Sequence, residues 1–272
     1  MMADAKKPVS GAHHWGDGDD RQQHDHQGSD GGSFSAYVAK PASGKGPALV
    51  LLHAILGANE ELRDHADRFA AQGFVVLVPD LFWRIAPGIE LGTSEADLKK
   101  AFAYSDQFDV DKGTEDICAT VTVARGMPGT TGQVCALGHC LGGKLAYLAA
   151  TRCGVNAAVG YYGVGIEKLL GESHRATCPI LLHFGGADRY VPIAAVDQIR
   201  AHFATRPEVE IHLYPEAEHG FSSAGRPFYN KAAADLAQRR TATFLKHLEL
   251  MSEITRLFLS FHPTRVKPLF YL

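Results

Sequence analysis

Apolar and polar positions change rhythm at residue 33. Before it, residues 1–32 are rich in Gly, Asp, His and Gln with almost no apolar periodicity, and such a stretch does not repay the entropy of ordering. It reads as a flexible N-terminal arm, with the histidines at 13, 14, 24 and 26 as solvated tail. From residue 33, "SFSAYVAKP" alternates, while "PALVLLHA" (47–54) and "FVVLVPD" (74–80) are unbroken apolar runs. Between those runs lies "NEELRDHADRFAAQG", with helical spacing and a closing glycine. The pattern recurs as helices over 94–106 and 111–125, strand "QVCALGH" (133–139), helix "LGGKLAYLAATR" (141–152), and strands "AAVGYYG" and "PILLHFGG". A helix near 192–204, strand "VEIHLYP" and a last helix over about 230–249 complete it. Continuous apolar strands alternating with amphipathic helices predict an α/β fold, a mostly parallel sheet covered by helices on both faces, as one domain over 33–249. Residues 250–272 are apolar and basic with two prolines, and read as a C-terminal tail or a docking segment.

Composition narrows the partners. The 272 residues are 46% hydrophobic and 21% charged, ample for one core. A formal net charge of −3 disfavours nucleic acid or an anionic membrane as the main partner and leaves a small metabolite. No apolar run reaches membrane-spanning length and the N-terminus has no signal-like apolar stretch. Five cysteines, at 118, 135, 140, 153 and 178, show neither CxxC nor zinc spacing, which suits a reducing cytoplasm.

In a parallel sheet, function collects at the carboxyl ends of the strands. Cys140 follows the strand 133–139 and opens a helix, within "GHCLGG". This Gly-x-Cys-x-Gly spacing allows a tight elbow that lifts a nucleophile to a helix N-terminus, where a thiolate is favoured. By itself it equally allows a buried thiol whose glycines let a helix pack on the sheet. Asp188 in "HFGGADRYVP" follows a second apolar strand, and His219 in "YPEAEHGF" a third. Nucleophile, acid and histidine in this chain order are the α/β-hydrolase order, with 48 residues from Cys140 to Asp188 and 31 from Asp188 to His219. Taken singly, Asp188 reads as a helix cap and His219 as a loop histidine. The backbone N–H groups of Leu141, at the helix start, and Ile55, in "HAILG", are candidate oxyanion donors.

The segments "GHCLGG", "VGYYGVGIEK", "HFGGADRYVP", "YPEAEHGF" and "VPDLFWRIAPG" together resemble the dienelactone hydrolase (carboxymethylenebutenolidase) family over residues 33–248. The resemblance implies a single-domain α/β-hydrolase fold without cofactor or metal. It also implies a Cys140, Asp188, His219 triad that opens a small, carboxylated enol-lactone or ester through an acyl-cysteine. It further implies that Arg84 binds the substrate carboxylate and that Tyr161 lines the pocket. Two positions depart from that pattern. "HAILG" stands where a family glutamate would hold the resting thiol, so Ala54 leaves that anion out, and Glu60 and Glu61 read as surface charges on the next helix. Ser223 occupies the position of a second carboxylate-binding arginine, for which Arg226 is the candidate replacement. With no anion beside the thiol, Cys140 is expected to rest as a thiolate paired with protonated His219. Two other readings stay open: an esterase or thioesterase of different range, and a non-catalytic α/β scaffold sensing oxidants through Cys140. Monomer and homodimer are both compatible with the sequence.

Overall fold

The computed structural model describes residues 22–28 and 31–260. Six apolar runs become β3 (Gly46–Leu52), β4 (Val75–Pro79), β5 (Thr130–His139), β6 (Ala157–Tyr161), β7 (Ile180–Gly185) and β8 (Val209–Tyr214). With β1 (Gln22–Gln27) and β2 (Ser33–Ala39) they form one eight-stranded sheet in the order β1-β2-β4-β3-β5-β6-β7-β8. The pairs from β4 to β8 are parallel, and β1 and β2 add on antiparallel.

Each inner strand is apolar on both sides because helices cover both sides. Along β3, Ala48, Val50 and Leu52 face one core layer and Leu49 and Leu51 the other. The first layer is closed by α2 (Glu95–Gln107), α3 (Val110–Gly126), α4 (Leu141–Arg152) and α5 (Ile193–His202). The second is closed by α1 (Glu60–Ala71) and α6 (Lys231–Ser260), through residues such as Ala66, Ala70, Ala237 and Phe244. The α1 boundary is set locally, by the Asn59 side chain accepting from the Leu62 N–H at 3.2 Å.

Two expected boundaries shift. Residues 22–27, assigned to the arm, are edge strand β1, paired from Gln22↔Val38 to Gln27↔Ser33. An edge strand is held by main-chain hydrogen bonds to one neighbour, so "QQHDHQ" needs no apolar alternation to form it. His26 does anchor it, stacked on Phe34 at 5.1 Å. At the other end, α6 runs to Ser260, past the expected stop near 249. No glycine or proline interrupts 231–260, so nothing in the chain ends the helix where the composition changes. The remainder of the expected arm and tail, residues 1–21, 29–30 and 261–272, lies outside the described residues.

The cysteines are not all thiols. Cys118 on α3 and Cys153 at the end of α4 form a disulfide with 4.6 Å between their Cα atoms, and Cys135, Cys140 and Cys178 remain thiols. A bond closing a loop of 35 residues removes about 4 kcal/mol of unfolded-state entropy in the chain-entropy description. The denatured, unreduced chain should therefore titrate three thiols, rising to five after reduction, with a lower unfolding midpoint in the reduced form. Five thiols without reductant would show the bond absent.

Candidate active site

The site is built at the carboxyl edge of the sheet, where β5 passes into α4. Cys140 sits between them with φ 55° and ψ −116°, a left-handed conformation costly for a residue with a Cβ. The elbow is held by the Cys140 N–H donating to the Tyr161 carbonyl on β6 (3.0 Å), while the Cys140 carbonyl accepts from Gly143 and Lys144 N–H groups. Its flanking glycines are required by close approach. A Cβ on Gly138 would overlap the Gly142 carbonyl, and one on Gly142 would overlap the Leu52 carbonyl and lie 2.9 Å from that of His53.

The other two groups arrive from neighbouring strand ends. Asp188, in the loop after β7, is buried, and its Oδ1 accepts the N–H groups of Tyr190 (2.7 Å) and Val191 (3.1 Å). Its Oδ2 is left to accept from His219 Nδ1 at 2.8 Å. His219, in the loop after β8, is wedged edge-to-face between Tyr162 and Tyr190, each 4.9 Å away. With Nδ1 engaged, its second ring nitrogen is left for the Cys140 sulfur, whose charge acts on the ring. Burial alone would lower the His219 pKa, but the Asp188 bond and the Cys140 sulfur outweigh it and push it up to about 9. The imidazole is thus held ready to carry a proton beside the sulfur.

The N–H groups of Leu141 and Ile55 have no hydrogen-bond partner among the described residues, and Leu141 is the first residue of α4. Next to the elbow, a small solvent-open cavity is lined by Ala54, Leu56, Glu61, His65, Ser223 and Arg226, among others. Burial lowers the pKa of His65 to about 4 and that of its neighbour His139 to about 3, so both are neutral walls at physiological pH.

The substrate-side expectations fare unevenly. Ser223 and Arg226 line the cavity, and Arg226 Nη2 pairs with Glu61 at 2.7 Å. Glu61 is therefore part of this wall rather than an incidental surface charge. Arg84 is committed elsewhere: its guanidinium lies 2.8 and 3.2 Å from the two oxygens of buried Asp116 on α3 and over the Trp83 ring. It is not among the cavity-lining residues. Tyr161 belongs to the core under α6, where its hydroxyl bonds to Thr241 at 2.7 Å. The tyrosine against His219 is Tyr162, at φ 38°, with its hydroxyl 2.9 Å from Ser222. The doubled "YY" signalled an aromatic at the strand end, but not which of the two the positive φ would turn into the site.

A cysteine elbow, an acid and a histidine in this chain order, on the ends of β5, β7 and β8, are the arrangement of an α/β hydrolase. The model of the dienelactone hydrolase family matches residues 34–249, and the chain belongs to that family of ester and lactone hydrolases. It is 39% identical over 225 residues to a putative carboxymethylenebutenolidase of Azospirillum brasilense, covering 80% of this chain and 94% of that one. It is 37% identical over 224 residues to the carboxymethylenebutenolidase of Pseudomonas putida, covering 82% and 95%. Among solved structures, a putative dienelactone hydrolase from Klebsiella pneumoniae shares the fold with a TM-score of 0.71 at 24% identity, covering 83% of this chain and 98% of that one.

Proposed function

We propose that the chain hydrolyses a small, carboxylated lactone or ester through an acyl-cysteine, with Cys140 as nucleophile, His219 as acid and base, and Asp188 as the group that orients His219. The observation that carries this is the 2.8 Å hydrogen bond that aligns His219 on buried Asp188, with the Cys140 sulfur acting on the same imidazole. The sulfur attacks the carbonyl carbon and forms the S–C bond, while the C=O π pair moves to oxygen, facing the N–H groups of Ile55 and Leu141. Collapse breaks the C–O bond of the alcohol or enol portion, which takes the His219 proton. In a lactone that portion stays tethered. His219 then removes a proton from water, the hydroxide adds to the thioester, and cleavage of the S–C bond releases the carboxylate.

The pairing of His219 with the sulfur bears on the resting state. A histidine with its pKa raised to about 9 keeps its proton at neutral pH and sets a positive charge beside the sulfur, the surroundings in which a thiolate is favoured. Iodoacetamide should thus inactivate the free enzyme at a rate already near its plateau at pH 7. A rate that rises only near the free-thiol value of about 8.5 would rule this out. Ala54 supports the same reading, because a methyl group stands where a carboxylate would oppose the anion, and Glu61 is neutralised by Arg226.

Substrate range turns on Arg226. It is the guanidinium on the cavity, and a substrate carboxylate would replace Glu61 as its partner. Arg226→Met should raise KM for a carboxylated dienelactone about 10- to 100-fold, the loss of one charge-assisted hydrogen bond, and leave an uncharged lactone unaffected. The commitment of Arg84 to Asp116 favours a second reading, an esterase of broader range. Equal effects of Arg226→Met on both substrates would select it. As for the compartment, the Cys118–Cys153 bond opposes the cytoplasmic placement suggested by cysteine spacing, since such bonds persist in oxidising surroundings. Among the described residues no helix is long and apolar enough to cross a membrane.

A further inference from the structure

His53 is fully buried immediately after β3, a position that composition treats as core. Its ring lies edge-on to Phe82 at 4.7 Å, and both of its nitrogens are used. Nε2 accepts the Leu81 N–H at 3.1 Å, which places the ring proton on Nδ1. Nδ1 then donates to the Ala54 carbonyl at 2.7 Å. Burial lowers the His53 pKa to about 4, so this neutral tautomer holds through the physiological range.

The direction of the Ala54 carbonyl matters because the next N–H belongs to Ile55. In a planar trans peptide the C=O and the following N–H point in opposite directions. A carbonyl held toward His53, and also reached by the Gly57 N–H at 3.3 Å, therefore leaves the Ile55 N–H facing the other way, without a partner. The backbone at Leu52 and His53 is in close contact with the elbow, as the space around Gly142 shows. The geometry points to His53 as a positioning residue for acyl transfer: by gripping the Ala54 carbonyl it orients the Ala54–Ile55 peptide so that the Ile55 N–H meets the oxyanion. A released peptide is free to rotate and present its carbonyl instead, which would repel the developing charge. This role rests on the acyl-cysteine reading.

Two reactions at Cys140 separate the possibilities. Ester hydrolysis builds an oxyanion, whereas alkylation by iodoacetamide displaces iodide at a saturated carbon and needs no oxyanion donor. His53→Phe removes both bonds, His53→Asn keeps a donor in reach of Ala54, and His53→Gln extends its amide toward Leu81 instead. For an activated aryl acetate, His53→Phe and His53→Gln should lower kcat about 10- to 100-fold. KM should stay within about twofold, alkylation should keep the parent rate, and His53→Asn should recover most of kcat. Parallel loss of hydrolysis and alkylation, an unchanged kcat in His53→Phe, or equal kcat in the Asn and Gln variants would overturn the role. If the Phe variant does not fold, the Asn–Gln comparison alone decides. Unchanged hydrolysis in Cys140→Ala would instead refute the underlying acyl-cysteine reading, whatever the His53 variants do.

Discussion

Replacing Cys140 with alanine is expected to lower kcat/KM for an activated aryl ester by about 10⁴-fold or more, with the fold retained. The loss is large because in the proposed mechanism the sulfur is the atom that forms the covalent bond, and neither His219 nor the proposed oxyanion donors can take that role. What survives is binding and the donors acting on water. The fold should persist because the elbow is fixed by main chain, through the Cys140 N–H to Tyr161 and the glycines on either side, none of which needs the thiol. Alanine even relieves nothing at φ 55°, since it keeps the Cβ. Parent-like hydrolysis by this variant would leave the non-catalytic scaffold as the surviving reading.

The second large effect is on stability. Gly142→Ala would drive a Cβ into the Leu52 carbonyl, with the His53 carbonyl 2.9 Å away, and neither is the end of a flexible side chain. Either α4 lifts from the sheet or the end of β3 moves. We expect a loss of at least about 3 kcal/mol. At roughly 2–4 °C per kcal/mol for a domain of this size, the unfolding midpoint should fall by about 6–12 °C. Activity should fall as well, because the same displacement moves Leu141 and its N–H away from Ile55. Gly126→Ala is the control: it lies at the exposed end of α3 with nothing within 4 Å of its Cβ, and should change the midpoint little. Equal shifts in the two variants would show that α4 is not seated on β3 as described.

Much of this was legible in the chain. Strands β3, β4, β6 and β7 coincide with apolar runs because a strand buried on both faces has no polar alternation to obscure it, while β8, at the sheet's edge, keeps a polar alternation in "VEIHLY". Cys140, Asp188 and His219 were identifiable because each follows such a run at a glycine-rich or loop segment, and their order matches a known arrangement of the same chemistry. Helix starts fall where a side chain caps them, at Asn59, Ser94 and Asp109, within two residues of where the helical spacing placed them. Strand β1 was not, since main-chain pairing at a sheet edge leaves no periodic trace.

By itself, then, the sequence determined the α/β alternation, the three strand ends and the identity of the groups placed there, because these depend on local spacing along the chain. The tertiary structure alone decided which groups face which. It set Arg84 against Asp116, brought Glu61 to Arg226 across 165 positions, turned Tyr162 rather than Tyr161 toward His219, and closed Cys118 onto Cys153. It also seated His53 under the Ala54 carbonyl, between two strand ends. The physical reason is the same in each case: periodicity records the face a residue presents to its own element, while a partner is set by how separate elements stack.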